Sequence, residues 1–113
     1  MIIIAFSNKT SKILPKLICR KYKHVAPIIP DGKGLVMYQF VRRGDVEKIE
    51  IQTRDLKILK SHGWDFIYIH GAKIPHDFNP NNAITCVDLS KRIIGLKKIY
   101  IQTPLALYKE LMK

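Results

Sequence analysis

A cysteine at the predicted start of a helix is the residue of this sequence best placed to do chemistry. Thr85 is the predicted N-cap of a helix that begins at Cys86 and runs through Ile94, and Gly95 is its predicted stop. A helix N-terminus stabilises an anion, so we expect a lowered pKa for the Cys86 thiol and N–H groups able to hold an oxyanion. The alternative is a small buried apolar residue, the commonest role of a free cysteine.

A histidine and a glutamine on two predicted neighbouring strands could complete a site around this thiol. His24 stands at the start of a strand over residues 25–29, and within reach of Cys86 it would be a general base and acid. Gln39 lies on the next strand, over residues 35–41, and residues opposed on neighbouring strands share a face. Gln39 could therefore fix the tautomer of His24. The alternatives are a surface histidine in a basic stretch and a solvent-facing glutamine.

The remaining candidates for chemistry are weaker. His70, His76 and Asp77 offer zinc-binding side chains, but their spacing fits no standard ligand pattern, so we predict no metal and no cofactor. Cys19 is expected to lie on a helix with its side chain in the protein core. Two cysteines are too few for a disulfide framework. Trp64 is expected to pack where a helix meets a strand.

The charge is strongly positive and unevenly distributed. The 113 residues include 20 Lys and Arg against nine Asp and Glu, a net charge of +11. Residues 1–30 contain six basic residues and no acidic one, so they contribute +6 of that total. This excess favours an anionic partner such as nucleic acid or another anionic polymer. At helical spacing, one side of residues 12–23 presents Lys12, Lys16, Arg20 and Lys23.

Codon bias is the competing explanation of this charge. The chain has 15 Lys but only five Arg, together with 18 Ile, as an A+T-rich genome would produce. The charge alone therefore does not decide between a binding surface and a solvated face.

The elements that must position these residues form an α+β pattern. Strands are predicted over residues 2–6, 25–29, 35–41, 46–51 and 66–69, with a doubtful extended piece at 99–101. Helices are predicted from about Pro15 to Tyr22, from the cap Thr53 to the stop Gly63, over 85–94, and after the cap Thr103. In the last helix the predicted buried face is Leu105, Tyr108, Leu111 and Met112. We predict one domain, residues 1–113, with helices packed on a small, mostly antiparallel sheet.

Composition and hydropathy exclude several classes of protein. Hydrophobic residues make up 47% of the chain and charged residues 26%, which excludes wholesale disorder. No apolar run approaches the roughly 20 residues of a membrane span. The first six residues have neither the basic region nor the cleavage site of a signal peptide, so we expect a cytoplasmic or virion-associated protein.

Taken together, these motifs resemble the circularly permuted NlpC-type, papain-like proteins, which include YiiX-like hydrolases and relatives of lecithin:retinol acyltransferase. The resemblance spans nearly the whole chain: an apolar strand, a helix, then a strand opening with Lys23-His24-Val25-Ala26, and later the helix start at Thr85-Cys86. The ending, Gly95 followed by Thr103-Pro104 and Tyr108, is similar to that of small phage and bacterial members. The resemblance implies a permuted papain-like core.

The resemblance also assigns roles. Cys86 would be the nucleophile, His24 the base and Gln39 the third polar residue of a thiol hydrolase or acyltransferase acting on an amide or ester bond. Its substrate would be a cell-wall peptide or a lipid-like acyl group. Two positions depart from the family pattern: Gln39 stands where members often have Glu, and Lys23 replaces the usual Ser. The alternatives are a basic, non-catalytic binding module and a virion-associated protein with a degenerate papain-like fold.

Overall fold

The computed structural model describes residues 1–7, 24–32 and 34–113. The helix predicted near residues 15–22, with Cys19 and the basic residues between Lys9 and Lys23, lies outside the described residues. The described strands are β1 (Ile2–Ser7), β2 (His24–Asp31), β3 (Gly34–Arg42), β4 (Asp45–Ile51) and β5 (Trp64–Ile69). The described helices are α1 (Asp55–Ser61), α2 (Cys86–Ile94) and α3 (Pro104–Leu111), with a 3-10 turn at Pro80–Asn82.

The five strands form one antiparallel sheet in the order β4-β3-β2-β1-β5. β1 pairs with both β2 and β5, and all six of its residues are buried. The continuous apolar run at its start fits this position, because a strand covered on both faces needs apolar residues at every position. The predicted α+β class, with helices on a small antiparallel sheet, is confirmed.

The alternating side chains of the sheet enter two separate cores. Ile4, Phe6 and Val25 belong to the core under α2 and α3, which we call the α2 face. Ile3, Ala26 and Ile28 belong to the core that includes Leu56 and Leu59 of α1, which we call the α1 face. Because a strand alternates with a period of two, β1 and β2 contribute to both faces.

The two predicted threonine caps and the predicted glycine stop are present in the structure, and a second glycine forms the turn between β3 and β4. The hydroxyls of Thr85 and Thr103 accept hydrogen bonds from the third helical N–H, at 2.9 and 3.1 Å. Gly95 ends α2 with φ of 73°, and Gly44 turns β3 into β4 with φ of 80°, values that glycine adopts without steric cost.

Two sequence predictions are wrong. Thr53 is not the N-cap of α1: Arg54 occupies that position without a side-chain bond, and the carboxylate of Asp55 accepts from the Gln52 N–H at 2.8 Å. Residues 99–101 form no strand, because the Ile101 N–H bonds back to the Lys98 carbonyl in a turn.

The buried face of α3 is also shifted from the predicted one. Leu107 is completely buried, whereas Met112 is 60% exposed. Leu105, Tyr108 and Leu111 pack against the α2 face while remaining partly exposed. The helix meets the sheet along a face centred on Leu107, which the spacing of the apolar residues alone did not distinguish from its neighbours.

Within the described ranges, no helix is long and apolar enough to cross a membrane.

Candidate functional site

His24 lies at one end of the sheet in a row of three opposed residues. As the first residue of β2 it pairs with Ser7 of β1, and Ser7 pairs in turn with Trp64, the first residue of β5. The Trp64 ring stands edge-on to the imidazole, with 6.0 Å between centroids and 82° between planes. The indole therefore shields one side of the histidine and helps to fix its orientation.

Gln39 reaches His24 from the neighbouring strand. The described register pairs Ile28 with Met37, and extending it antiparallel places Gln39 opposite Ala26, diagonal to His24 on the same face. The amide Nε2 of Gln39 lies 2.7 Å from the imidazole Nε2. The predicted contact between these two residues is therefore present in the structure.

The direction of this hydrogen bond sets the histidine tautomer. With the Gln39 amide as placed, its N–H donates to Nε2 of His24, so the neutral ring carries its proton on Nδ1. Rotating the amide by a half turn presents its oxygen instead, which accepts from an Nε2–H and leaves Nδ1 with the lone pair. Gln39 can thus partner either tautomer, and the second orientation is the one suited to a base acting through Nδ1.

Burial lowers the pKa of His24 below its ordinary value of 6.5, and a hydrogen bond from the ring to the Gln39 amide oxygen, in the rotated orientation, opposes this shift by raising the pKa. Burial dominates because imidazolium loses more hydration than neutral imidazole. The ring is consequently neutral near pH 7 and able to accept a proton, as a general base must be.

Cys86 occupies the first position of α2, as the sequence predicted. Its neighbour Thr85 has extended backbone angles and caps the helix through the Asp88 N–H. The Cys86 side chain is partly buried and packs against the core of the α2 face. Its helix packs against β2, the strand that His24 begins.

The first turn of α2 also contains a carboxylate. Asp88 accepts from the backbone N–H of Ile84 at 3.0 Å and from Nε of Arg92 at 2.9 Å. This resembles a capping box with an acidic residue at its third helical position, except that the carboxylate accepts from the N–H one residue before the cap. A carboxylate at a helix N-terminus is itself stabilised there, and its charge opposes a second anion at Cys86, an effect that Arg92 reduces.

The structure brings His24 and Gln39 together and places Cys86 with a different core. His24 shares the α1 face with Ala26 and Ile28, whereas Cys86 packs on the α2 face together with Val25. The described hydrogen bond of the imidazole is the one to Gln39. The catalytic roles assigned to Cys86, His24 and Gln39 stay predictions.

Sequence reasoning missed the place of Trp64 beside His24. The sequence predicts Trp64 only at the junction of a helix and a strand, and the strand order, with β5 next to β1, makes it a neighbour of the row at Ser7. For the other candidates, no group of three His, Cys, Asp or Glu side chains converges as a metal site within the described part of the chain.

Comparisons with known proteins do not test the family resemblance. No protein-family model, curated protein or solved structure matches this chain.

Proposed function

We propose that this protein is a thiol-dependent hydrolase or acyltransferase in which Cys86 attacks an amide or ester carbonyl and His24 transfers the protons. The observation that carries the proposal is the 2.7 Å contact between His24 and Gln39, which orients a histidine whose pKa is lowered by burial. A neutral, oriented imidazole at pH 7 is the base that a cysteine nucleophile requires. The position of Cys86 at the capped start of α2 supports its role as the nucleophile.

The reaction follows from these roles. His24 accepts the thiol proton, and the thiolate of Cys86 adds to the carbonyl carbon to give a tetrahedral oxyanion, stabilised by the Cys86 backbone N–H. The imidazolium then protonates the departing amine or alkoxide, leaving a thioester on Cys86. His24 next deprotonates water or an acceptor amine, which attacks the thioester and regenerates the thiol.

Proton transfer requires the imidazole to come within hydrogen-bond reach of Sγ, around the end of β2 that His24 occupies. Because β2 is paired with β1 from His24 onwards, such an approach would come from rotation of the imidazole and not from a movement of the strand. The approach of the two side chains would then occur on substrate binding, as catalytic hydrogen bonds often tighten only in the complex.

The substrate class rests on the family resemblance. The resemblance points to a cell-wall peptide or a lipid-like acyl group, and both place a carbonyl carbon beside a leaving amine or alcohol. Either substrate gives the same covalent intermediate, a thioester on Cys86.

Trapping that thioester tests the proposal. Wild-type protein incubated with an activated acyl ester and analysed by intact and peptide mass spectrometry should carry one acyl group, on Cys86. The Cys86→Ser and His24→Ala variants should lose turnover, while His76→Ala, a change at an exposed histidine, should leave it unaltered. Acylation that persists at the same rate in His24→Ala, or that falls on Cys19, would contradict the proposal.

The packing of Cys86 on the α2 face, when the alternation of β2 puts His24 on the α1 face, favours a second function, a basic, non-catalytic binding module. Six basic residues among the first 30, without an acidic one, would then bind nucleic acid or another anionic polymer. Contacts with about four phosphates predict a log–log salt slope of roughly −3 to −4.

A titration separates this function from the first. A labelled duplex and a labelled single strand are titrated at low and moderate salt with wild type and with Lys12, Lys16 and Arg20 changed to Glu. Binding that the charge reversal abolishes, in a protein that forms no thioester, would replace the enzymatic proposal. Unchanged binding, or none at low salt, would attribute the charge to codon bias.

A further inference from the structure

The outer edge of β5 forms the floor of a groove. A cavity of about 580 Å³ contacts four consecutive residues of this strand, 65–68. Consecutive strand residues point to opposite faces, so a cavity that contacts all four must lie along the strand edge and not over either face. β5 is last in the strand order, and no strand of the described part of the chain pairs with its outer side.

One helix from each face forms the walls of the groove. Leu56, Lys57 and Lys60 of α1 line it on the α1 face, and Tyr108 and Met112 line it on the other side. The cavity between these walls contacts the strand edge along residues 65–68. Three other apolar lining residues, Phe66, Ile67 and Tyr68, belong to β5 itself, and Tyr68 is 47% exposed.

An edge strand presents backbone N–H and C=O groups to any extended chain that approaches it. At about 3.3 Å per residue, residues 65–68 offer about 13 Å of edge, enough for roughly four residues of an added strand. Backbone pairing along this length would supply affinity, and alternate side chains of the added strand would meet α1 on one face and α3 on the other.

The charge of the groove selects an anionic occupant. Lys57 and Lys60 are exposed on its rim, against one aspartate, Asp65. The whole chain carries +11, so a second copy of the same chain would be repelled and an acidic segment attracted. These charges distinguish a partner peptide from self-association through β5.

We propose that the edge of β5, between α1 and α3, binds an extended acidic peptide segment of a partner protein as a sixth strand of the sheet. The acidic side chains of the segment pair with Lys57 and Lys60 on the α1 face, and its alternating apolar side chains pack on Ile67, Tyr108 and Met112 on the other face. This site is independent of Cys86 and His24 and does not rest on the proposed thiol chemistry.

The test uses a labelled peptide, acetyl-Glu-Val-Glu-Val-Glu-Val-amide, in a fluorescence anisotropy titration at low salt. A version with N-methyl groups on alternate residues keeps the charge and removes backbone donors, and should bind about tenfold more weakly. A version with Lys in place of Glu should not bind. In an amide NMR titration, the largest shifts should fall on residues 64–69 and on α1.

Two double variants with the same change of charge locate the site. Lys57→Glu with Lys60→Glu should weaken binding about tenfold, whereas Arg43→Glu with Lys48→Glu, at the opposite edge of the sheet, should weaken it far less. Circular dichroism checks that both fold.

Four results would overturn the proposal: no binding of the acidic peptide at millimolar concentration, equal binding of the N-methylated peptide, equal binding of the Lys-containing peptide, or equal losses in the two double variants. A dimer in sedimentation that only the groove variant dissociates would assign the edge to a second copy instead.

Discussion

Among the described residues, the two faces of the sheet differ in the size of their buried cores. On the α2 face, Phe6, Leu89 and Leu107 are fully buried beneath two helices. On the α1 face, the partly exposed side chains of Leu56, Trp64 and Phe66 lie around a smaller buried centre, and none of the seven residues of α1 is fully buried. The α2 face therefore holds the larger buried core of the described residues, while the α1 face has half-buried polar groups, among them His24 and Gln39, at its edge.

This difference suggests a division of roles within one sheet. A fully packed face tolerates little change, since each lost contact leaves a cavity. A partly covered face can hold a basic group that is desolvated, which lowers its pKa, and that a substrate can still reach. His24 is in this second situation, because its hydrogen bond and its burial act on the pKa in opposite directions.

The largest expected effect concerns the packing of the two faces. Phe6 is fully buried and stands edge-on to Tyr108 with 5.3 Å between centroids, so Phe6→Ala should lower the free energy of unfolding by about 3–5 kcal/mol. Phe66→Ala, at a half-buried position on the α1 face, should cost about 1–2 kcal/mol. Urea unfolding measures both. Equal losses would show that the faces are equally packed.

The next effect compares a threonine that caps a helix with one that does not. Thr85→Ala removes the acceptor for the Asp88 N–H and should lower the free energy of unfolding by about 1 kcal/mol. Thr53→Ala should cost much less, because the contact of Thr53 with α1 is its backbone carbonyl, which accepts from the Leu56 N–H. Urea unfolding of the two variants is the measurement. A larger loss for Thr53→Ala would contradict the cap assignment.

The pH dependence of stability should show the lowered pKa of His24. Below pH 6.5 the unfolded chain binds a proton at this residue while the folded chain resists it, so the His24 contribution to stability is present above pH 6.5. It decreases as the pH falls from 6.5 towards the folded-state pKa. Unfolding curves at several pH values should show that the free energy of unfolding decreases less, as the pH falls below 6.5, in His24→Gln than in wild type.

The same change at exposed His76, His76→Gln, is the matched control and should leave the decline as in wild type. A decline that persists unchanged in His24→Gln would show that His24 is not the group responsible.

The smallest effect concerns Gln39. When the Gln39 amide oxygen accepts from the ring, this hydrogen bond raises the pKa of His24 against the effect of burial, so Gln39→Leu should lower that pKa further. An NMR titration of the imidazole resonance measures the shift directly, with Gln52→Leu, at an exposed glutamine, as the control. A raised or unaltered pKa would mean that the amide does not stabilise the imidazolium.

Local signals predicted much of this fold, because they act through nearest neighbours. The caps at Thr85 and Thr103 and the glycine stop at Gly95 depend only on residues within a turn. Residues 99–101 were misassigned because a short apolar piece fits a strand or a turn equally well until its partners are known. The carbonyl of Ile101 accepts a hydrogen bond from the largely buried Lys91 Nζ at 2.9 Å, ten residues away, which no local pattern shows.

The candidate site was predictable only as far as strand alternation extends. Alternation on β2 and β3 predicts that His24 and Gln39 share a face once the two strands are neighbours. It does not determine which face α2 covers, and in the structure Cys86 of that helix packs against the core that includes Val25 and not Ala26. The strand order, which brings Trp64 to the histidine, arises from tertiary packing and has no signature in the sequence.

The central claim, that His24 acts on Cys86, is tested most directly by the pH dependence of Cys86 alkylation. Cys19→Ser in every sample leaves Cys86 as the one thiol, and iodoacetamide rates are measured across the pH range for wild type at position 24 and for His24→Ala. If the imidazole stabilises the thiolate, His24→Ala raises the apparent pKa of the reaction and slows it at neutral pH, with unchanged circular dichroism. Superimposable curves would contradict the claim and leave the start of α2 as the sole influence on this thiol.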